Sequence, residues 1–301
     1  MFWEGAYRYM KKAVEYFKLM RVKHYIKNLL IFLPLIFSLN FYNWEMDIKV
    51  ILGFIVFSLI CSIVYIINDT HDVEKDRKHP KKCKRPIAAG TVSKKEAYVL
   101  AIILFLIIIT INIFGKLSIV SVGILLGYLV LNILYTFKFK YIPLVDVVVL
   151  VLSYVLRVVY GAMLINVMVS HWLYLTIISF AFYLSLGKRR NELDKTVNRE
   201  NETRDVLKFY TKGFLDKNMY MCLALTIVFY SLWCVDATTL ERLNTSNLIW
   251  TIPVLILICM KYSLDIEGDS YGDPVDVLLS DKGLLILVLF FSVFMGAIIL
   301  I

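Results

Sequence analysis

The sequence has 301 residues, 59% of them hydrophobic, and a mean hydropathy of +0.72. Soluble globular proteins average about 45–50% apolar residues, so these values exclude a soluble globular domain and predict a polytopic membrane protein. The formal net charge is +9, but the cations lie in loops between apolar runs, so nucleic acid is not an expected partner. The cysteines show no paired spacing, which argues against a disulfide framework or a zinc site.

The first 27 residues are basic, with aromatic residues interleaved among the cations. This pattern is typical of an amphipathic helix on an anionic membrane surface, and residues 1–27 are predicted to form such a segment. No small-residue cleavage site follows a short apolar core, so a cleavable signal peptide is not expected. Lys23, Lys27 and Asn28 are candidate functional residues where this segment enters the first apolar run.

Apolar runs then recur along the chain, each near the ~20 residues that a helix needs to cross ~30 Å of hydrocarbon. They lie near residues 28–43, 48–67, 95–114, 117–136, 143–165, 169–187, 218–236, 246–264 and 282–300. The sequence therefore predicts an all-α polytopic membrane protein with about nine transmembrane helices. Residues 28–301 are predicted to form one domain, because loops 68–94 and 188–217 are too short to fold independently. We expect these loops to form short helices that cap a cavity on the cytoplasmic side.

All but four of the 33 Lys and Arg residues fall in alternate connections or at the span ends beside them. The exceptions are Lys49, Lys116, Arg157 and Arg242. Cytoplasmic loops carry the excess of Lys and Arg. We therefore expect a multi-pass protein of the cytoplasmic (inner) membrane, with the N-terminus and the charged loops in the cytoplasm.

Residues 68–90 carry most of the functional information. Asp69, Asp72 and Asp76 follow an apolar run at i, i+3 and i+7, and at ~100° per residue they fall within roughly 60° of one helix face. Crowded carboxylates repel one another unless a cation lies between them, and Mg²⁺ is usually held by one or two carboxylates plus substrate phosphates. The spacing therefore predicts a magnesium site at the end of the second span.

A basic run that includes Lys82 and Arg85 follows these acids at once, and Asn68 precedes them. Carboxylates for a metal ion beside cations for phosphate are the composition that a metal–diphosphate site requires. The alternative is a solvated loop of mixed charge between membrane helices. Three aspartates on one face directly after a span argue against that alternative.

A second group of polar residues comprises Tyr135, Lys138, Lys140, Asp146 and Arg157. Arg157 follows Asp146 by 11 residues, which places it near the same helix face about 16 Å deeper in the membrane. An arginine at that depth is costly and normally faces the bundle interior with a partner. Two alternatives stay open: a purely structural Arg157 paired with carbonyls or an Asp, and lysines that only satisfy the topology rule.

A third group, Lys188, Arg189 and Arg190, ends the sixth span. Cations are favourable at a helix C-terminus, which accounts for two of them, and at least one is predicted to point back into a shared cavity. The last loop, residues 267–282, is acidic where the other loops are basic. Its carboxylates are expected to pair with the basic loops or, as the less favoured alternative, to bind a second metal ion.

These motifs resemble the UbiA superfamily of intramembrane prenyltransferases, whose first aspartate motif is similar to Asn68-Asp69-x-x-Asp72-x-x-x-Asp76. Within the superfamily the chain is most similar to the decaprenyl-phosphate phosphoribosyltransferases. The similar segments are 27–28, 72–80, 85–90, 135–138, 146–147, 156–157, 187–193 and 272–281. The resemblance therefore extends from the first predicted span to the last.

The resemblance implies a reaction, in which phosphoribosyl pyrophosphate donates its phosphoribosyl group to a decaprenyl-type polyprenyl phosphate with Mg²⁺ and releases pyrophosphate. The product serves lipid-linked pentose and cell-envelope synthesis. Asp69, Asp72 and Asp76 are implied as metal-binding and catalytic, with Asp146 as a further catalytic residue. The implied substrate-binding residues are Lys23, Lys27, Asn28, Asn68, Lys82, Arg85, Tyr135, Lys138, Lys140, Arg157, Lys188 and Arg189. The partners are the two substrates and the lipid bilayer, and an oligomer is allowed.

One departure from the superfamily bears on the substrate. Ordinary members carry a second acidic motif with two aspartates on the fifth span, whereas here Leu150 stands four residues after Asp146. Fewer metal ligands and more cations favour a donor with an extra phosphate. Two alternatives are transfer of a prenyl diphosphate to an aromatic acceptor and a lipid-phosphate transporter. Against the transporter, the charged groups collect at one membrane face.

Overall fold

The computed structural model describes residues 2–40, 42–196, 205–268 and 273–300, with side chains from residue 10 onward except at 195 and 196. This part of the chain is all-helical. Its α-helices, in chain order, are α1 Phe2–Met20, α2 Leu33–Phe37, α3 Trp44–His71, α4 Val73–Lys78, α5 Lys94–Phe114, α6 Ile119–Phe137, α7 Val145–Ile165, α8 His171–Thr196, α9 Lys212–Val235, α10 Ala237–Leu243, α11 Ile252–Glu267, α12 Pro274–Ser280 and α13 Lys282–Leu300. Short 3-10 segments join them at Val22–Phe32, Lys82–Lys84, Phe139–Tyr141, Asp205–Phe209 and Asn247–Thr251.

Within the described residues, seven helical stretches are long and apolar enough to cross a membrane: α3, α5, α6, α7, α9, Asn247–Glu267 and α13. Helices α3 and α7 are the most buried of them, whereas α5 and α13 expose large apolar side chains such as Ile102, Leu106 and Val293. Lipid hydrocarbon tails can contact these apolar side chains without a free-energy cost, and the backbone N–H and C=O groups of a helix are hydrogen-bonded within the helix. The prediction of an all-α, multi-pass membrane protein is confirmed.

The count of nine spans is not confirmed, because two of the predicted spans differ from the other seven. The predicted span 28–43 is a 3-10 segment followed by the short helix α2, and the break coincides with Pro34, which lacks an N–H group. The predicted span 169–187 is part of α8, which is long enough to cross. Buried hydroxyl residues such as Thr176 and Ser179 lower its hydropathy.

The predicted cap 188–217 begins as a continuation of α8, which runs on to Thr196. Arg189 pairs with Glu192 at i+3 and Arg190 with Asp194 at i+4, and such pairs stabilise helix outside the membrane. Residues 197–204 of this cap and residues 269–272 of the last loop lie outside the described residues. The other predicted cap, 68–94, contains α4 and the 3-10 turn at Lys82–Lys84.

The centre of the bundle is formed by α3, α7 and the segment Val22–Phe32. Gly161 on α7 permits the closest of these approaches: a Cβ atom there would lie 2.1 Å from the carbonyl oxygen of Ile31. Any larger residue would push the segment off the helix. The approach also brings Asn28, one turn earlier on the segment, against Arg157, one turn earlier on α7.

Candidate active site

A cavity of about 590 Å³ opens at one end of the bundle. Its wall is formed by the C-terminal halves of α3, α6 and α8, the first two-thirds of α7, α4 with the turn that follows it, the start of α12 and residues 21–27. These are the parts of the chain for which the sequence predicts a single, cytoplasmic face. Of the sixteen predicted site residues, ten line the cavity: Lys27, Asn68, Asp72, Asp76, Lys82, Arg85, Tyr135, Lys140, Arg157 and Lys188.

The aspartate motif sits where α3 passes into α4. The backbone stays nearly helical through the junction, because the N–H of Asp72 donates to the carbonyl of Asn68 (2.9 Å) and that of Asp76 donates to the carbonyl of Asp72 (2.8 Å). Asp72 and Asp76 face the cavity. Asp69 is only 2% exposed and does not line it, because its carboxylate is held by the guanidinium groups of Arg21 and Arg85.

Each of the two cavity-facing aspartates of the motif, Asp72 and Asp76, is already paired with a cation. Both carboxylate oxygens of Asp72 accept from Lys140 Nζ at 2.7 Å, and His71 lies 2.9 Å away. Asp76 accepts from Arg85 at 2.6 Å. The acids are thus divided between two cations, and the described residues contain no cluster of three His, Cys, Asp or Glu side chains able to hold a metal ion by themselves.

The two aspartates differ in their protonation behaviour. Burial tends to raise the pKa of Asp72, but hydrogen bonds from Lys140 and His71 outweigh it, so its pKa lies below the ordinary value. For Asp76, burial exceeds the opposing effect of Arg85, and the pKa is raised. A carboxylate with a raised pKa is one whose charge the surrounding protein compensates incompletely.

Three residues with hard oxygen donors line the cavity: Asp72, Asp76 and Asn68, whose amide oxygen also accepts from the Thr136 hydroxyl at 3.4 Å. Mg²⁺ is commonly bound by one or two carboxylates, with water and substrate phosphates as its other ligands. The donor set fits a magnesium ion that binds together with a diphosphate. The metal-binding role of these residues stays a prediction.

A second ion-pair group lies around Asp273, at the start of α12. Its carboxylate accepts from Lys27 (3.1 and 3.3 Å) and Lys188 (2.9 Å), with His24 at 3.8 Å. Burial tends to raise the pKa of Asp273, but these cations hold it well below the ordinary value. The nearby Asp276 has a raised pKa because of burial and repulsion from Asp273. The expectation that acids of the last loop pair with the basic segments agrees with these contacts.

Arg157 lies at the floor of the cavity and is 4% exposed. Its Nε donates to Asn28 Oδ1 at 2.8 Å, and its Nη1 donates to the backbone carbonyl of Ser153. The rings of Tyr128 and Tyr154 lie 5.4 and 5.7 Å from its Cζ atom. Asn28 is buried and reaches the cavity only through Arg157. No carboxylate among the described residues pairs with this guanidinium.

Asp146 and Arg189 do not line the cavity but pair with each other inside the protein. Arg189 Nε donates to Asp146 Oδ2 at 2.6 Å, and neither side chain is exposed. Tyr210 also donates to Asp146 (2.6 Å), while Arg189 reaches Glu192 (2.7 Å) and Tyr135 (3.1 Å). The prediction that Asp146 and Arg189 act directly on substrate does not match this placement, because their charges are satisfied within the protein.

Lys23 and Lys138 are exposed and lie off the cavity wall. Conversely, the sequence reasoning missed several residues of the wall. They include Arg21, His24, Tyr65, Tyr154 and Asp273. The place of Tyr154 in the cavity wall could have been predicted from the sequence. The cavity residues of α7 recur at 150, 153, 154 and 157, which is the spacing of one helix face.

A bundle of lipid-facing helices with a cavity at one end, lined by carboxylates and a surplus of cations, defines an integral membrane protein built to hold anionic groups. The UbiA prenyltransferase family model matches residues 30–264. The chain therefore belongs to the UbiA prenyltransferase family, a family of membrane transferases.

Relatives of known name agree with this assignment. The chain is 31% identical over 285 residues to a decaprenyl-phosphate phosphoribosyltransferase of Mycolicibacterium smegmatis, covering 90% of this chain and 88% of the relative. It is 29% identical over 278 residues to the protein of the same name from Corynebacterium glutamicum, covering 90% and 82%. A UbiA homolog from Archaeoglobus fulgidus bound to GPP and Mg²⁺ has the same fold, with a TM-score of 0.67 over 95% of this chain and all of that one, at 18% identity.

Proposed function

We propose that this transferase moves the 5-phosphoribosyl group of phosphoribosyl pyrophosphate to a polyprenyl phosphate of the decaprenyl type and releases pyrophosphate. The names of the relatives that share about 30% identity over nine-tenths of the chain point to this reaction. The product, a lipid-linked pentose phosphate, suits cell-envelope synthesis.

The observation that carries the proposal is the charge of the cavity. Among the described residues that line it, nine are Lys or Arg and six are Asp or Glu. Phosphoribosyl pyrophosphate carries a diphosphate and a separate phosphate, and the acceptor brings another, so one diphosphate and two phosphomonoesters must be accommodated at once. A prenyl diphosphate with a neutral aromatic acceptor requires only one diphosphate site. The surplus of cations, with Arg157 lacking an acidic partner, suits the more anionic pair of substrates.

In the proposed reaction, an oxygen of the lipid phosphate attacks C1 of the ribose, and the bond from C1 to the diphosphate breaks with both electrons leaving on pyrophosphate. The acceptor is already an anion, so no side chain has to remove a proton. Lys82, Arg85 and Lys140 bind and orient the diphosphate through charge-assisted hydrogen bonds. Asn68, Asp72 and Asp76 would hold a Mg²⁺ ion, which would supply neutralisation of the diphosphate charge.

The buried residues have supporting roles in this proposal. Asp69 orients Arg85, because it accepts a hydrogen bond from the same guanidinium as Asp76 does. The Asp146–Arg189 pair positions Tyr135, whose hydroxyl accepts from Arg189 and whose side chain lines the cavity. We therefore assign Asp69, Asp146 and Arg189 positioning roles, and Lys23 and Lys138 a role in attracting anions to the cavity mouth.

The distribution of Lys and Arg supports a cytoplasmic orientation for the cavity in an inner membrane. Phosphoribosyl pyrophosphate is soluble in water and would enter from that side, while the polyprenyl tail stays in the bilayer. Residues 1–27 would lie on the membrane surface, and residues 28–301 would form the transferase domain. The caps at 68–94 and 188–217 supply several of its lining residues.

The test is a transfer assay with the purified protein. Phosphoribosyl pyrophosphate labelled in the ribose is incubated with a polyprenyl phosphate and Mg²⁺ in detergent, and the lipid fraction is counted. A parallel reaction offers a prenyl diphosphate with a labelled aromatic acceptor. We expect label in lipid only in the first reaction, and label only in the second would overturn the proposal.

A variant tests the site in the same assay. Asp72→Asn should reduce turnover by more than about a hundredfold, the order expected when a group that stabilises charge developing in the transition state is lost. The control is Glu241→Gln, a matched loss of one carboxylate on α10 outside the cavity, which should stay near wild type. Full activity of Asp72→Asn would remove the proposed role of the aspartate motif.

A further inference from the structure

The cavity holds two separate groups of charges. Asp72 and Asp76, with Lys140 and Arg85, form the first, to which the proposed function assigns the diphosphate. Lys27, Lys188 and Asp273 form the second, and no ion pair among the described residues links the two groups. A reaction that uses one diphosphate leaves the second group without a ligand.

Arg157 belongs with the second group. Its hydrogen-bond partner Asn28 is the neighbour of Lys27 in the chain, and Lys27, Lys188 and Arg157 all line the cavity. The ring of Tyr154, which also lines the cavity, lies 5.7 Å from the Cζ atom of Arg157.

Some N–H groups of the Arg157 guanidinium make no short hydrogen bond. Of its five N–H groups, Nε and one on Nη1 make firm hydrogen bonds. Nη2 has only long contacts, 3.4 Å to the Tyr128 hydroxyl and 3.7 Å to Cys61 Sγ. A buried arginine normally has an acidic partner or an anionic ligand. No Asp or Glu among the described residues forms an ion pair with Arg157. The rings of Phe57, Tyr128 and Tyr154 surround the guanidinium at 5.2, 5.4 and 5.7 Å from Cζ, but no negative charge compensates it. This arrangement favours an anion in the cavity.

The carboxylate of Asp273 lies beside Lys27 and Lys188, at the position where such an anion would contact these two lysines. It accepts from both Lys27 and Lys188, which is how a phosphate oxygen would be held by the same two ammonium groups. It also caps α12 by accepting from the N–H of Val275 at 3.1 Å, so the carboxylate keeps a second partner when the lysines leave it.

We propose that Lys27, Lys188 and Arg157 form a second anion subsite, specific for a phosphomonoester, and that Asp273 holds its two lysines until the phosphate binds. This inference rests on the proposed function and deepens it. Two phosphomonoesters take part in that reaction, the 5-phosphate of the donor and the phosphate of the lipid acceptor. Their shared chemistry is a dianionic phosphate on a single ester oxygen.

The test is calorimetric binding to the purified full-length protein in detergent, without turnover. The probes are ribose 5-phosphate for the donor, farnesyl phosphate for the lipid, and pyrophosphate with Mg²⁺ for the first group of charges. Arg157→Lys keeps the buried charge but loses the planar fork. It should weaken one of the two monoesters by about tenfold or more and leave pyrophosphate binding within about twofold. The monoester that is weakened identifies the source of the phosphate.

Asp273→Asn tests the role of the aspartate by the sign of its effect. Asparagine still caps α12 but no longer competes for Lys27 and Lys188, so the same monoester should bind about tenfold more tightly. Asp281→Asn is the matched control, because Asp281 also caps a helix and accepts from a lysine, Lys261, on the α11–α13 side. It should leave binding of the monoesters unchanged.

Unchanged binding of both monoesters in Arg157→Lys, or an equal loss of pyrophosphate binding, would overturn the subsite. Weaker monoester binding in Asp273→Asn would show that Asp273 contacts the ligand instead of competing with it. The outcome is separate from that of the transfer assay. Selective monoester binding without phosphoribosyl transfer refutes the proposed function alone, and transfer without selective effects of the variants refutes the subsite alone.

Discussion

Replacing Asp146 by asparagine distinguishes a structural ion pair from a catalytic carboxylate. Asp146 and Arg189 contact each other at 2.6 Å with no exposure of either side chain. Asparagine keeps the shape of the side chain and an oxygen that accepts from Tyr210, but it removes the charge. Arg189 would then keep only Glu192, at 2.7 Å, as an acidic partner, and the Glu192 side chain is 23% exposed.

The size of the effect follows from this geometry. Removing one partner of a buried ion pair costs about 3–5 kcal/mol, because the other charge stays buried and unpaired. Glu192 supplies part of the compensation, so we expect about 3 kcal/mol for Asp146→Asn, at the lower end of that range. Asp194→Asn is the control, since Asp194 is 34% exposed and its 3.3 Å pair with Arg190 is one of several that this arginine makes. It should cost less than about 1 kcal/mol.

The assay is reversible unfolding in mixed micelles, followed by tryptophan fluorescence, with turnover measured on the same samples. A second change, at the arginine, completes the cycle: Arg189→Met in the Asp146→Asn background should restore much of the lost stability. No buried guanidinium then remains without its partner, and the Glu192 carboxylate, 23% exposed, can be solvated by water. If Asp146→Asn were as stable as Asp194→Asn yet lost activity, Asp146 would act on substrate and the positioning role would be wrong.

Two further predictions concern the segments beside the cavity. Tyr210→Phe removes a hydroxyl that donates to Asp146 and accepts from the N–H of Leu144 at 2.7 Å, where Leu144 has a φ of 66°; we expect a loss of about 1–3 kcal/mol in the same unfolding assay. The second prediction is a pH dependence. The pKa of Asp273 is depressed in the folded protein, so its contribution to stability is present above about pH 4, the unfolded value, and is lost as the pH falls through the folded pKa. Asp273→Asn should therefore be less stable than wild type at neutral pH and approach it in acid. Asp276→Asn, where the folded pKa is raised, should show no loss at neutral pH; equal losses in both variants would contradict the electrostatic account.

The sequence predicted the site best where one helix carries it. Asp72 and Asp76 are separated by one helical turn, and the chain stays nearly helical between them, so both reach the cavity. The helices that can cross a membrane were predicted equally well from the apolar runs, since length and composition alone decide whether a helix can cross. The first predicted span is the exception, because Pro34 and the close approach at Gly161 favour a 3-10 segment over a regular helix.

The burial of Asp146, in contrast, could not be predicted from the sequence pattern. It continues the cavity face of α7, four residues before Leu150, and periodicity therefore placed it with Arg157. At the first turn of α7, however, α8 and the 205–210 segment cover that face and supply Arg189 and Tyr210. Such long-range contacts leave no local pattern. The sequence predicted that acids of the last loop pair with basic segments, but the particular pair of Asp273 with Lys27, 246 residues away, leaves no local pattern either.

The pairing of charges in the cavity bears on how the proposed substrates are held. Lys140 neutralises Asp72 and Arg85 neutralises Asp76, so the aspartates and the cations satisfy each other before any ligand binds. In the proposed reaction Asp72 and Asp76 would hold the metal ion, and the lysine and arginine that they release would bind diphosphate oxygens. Asp273 would release its lysines to a phosphomonoester in the same way. Ion pairs that are replaced by other ion pairs keep these carboxylates compensated, which lowers the desolvation cost of a charged cavity. A cavity of this kind can bind several phosphates at the edge of a membrane and still be stable when empty.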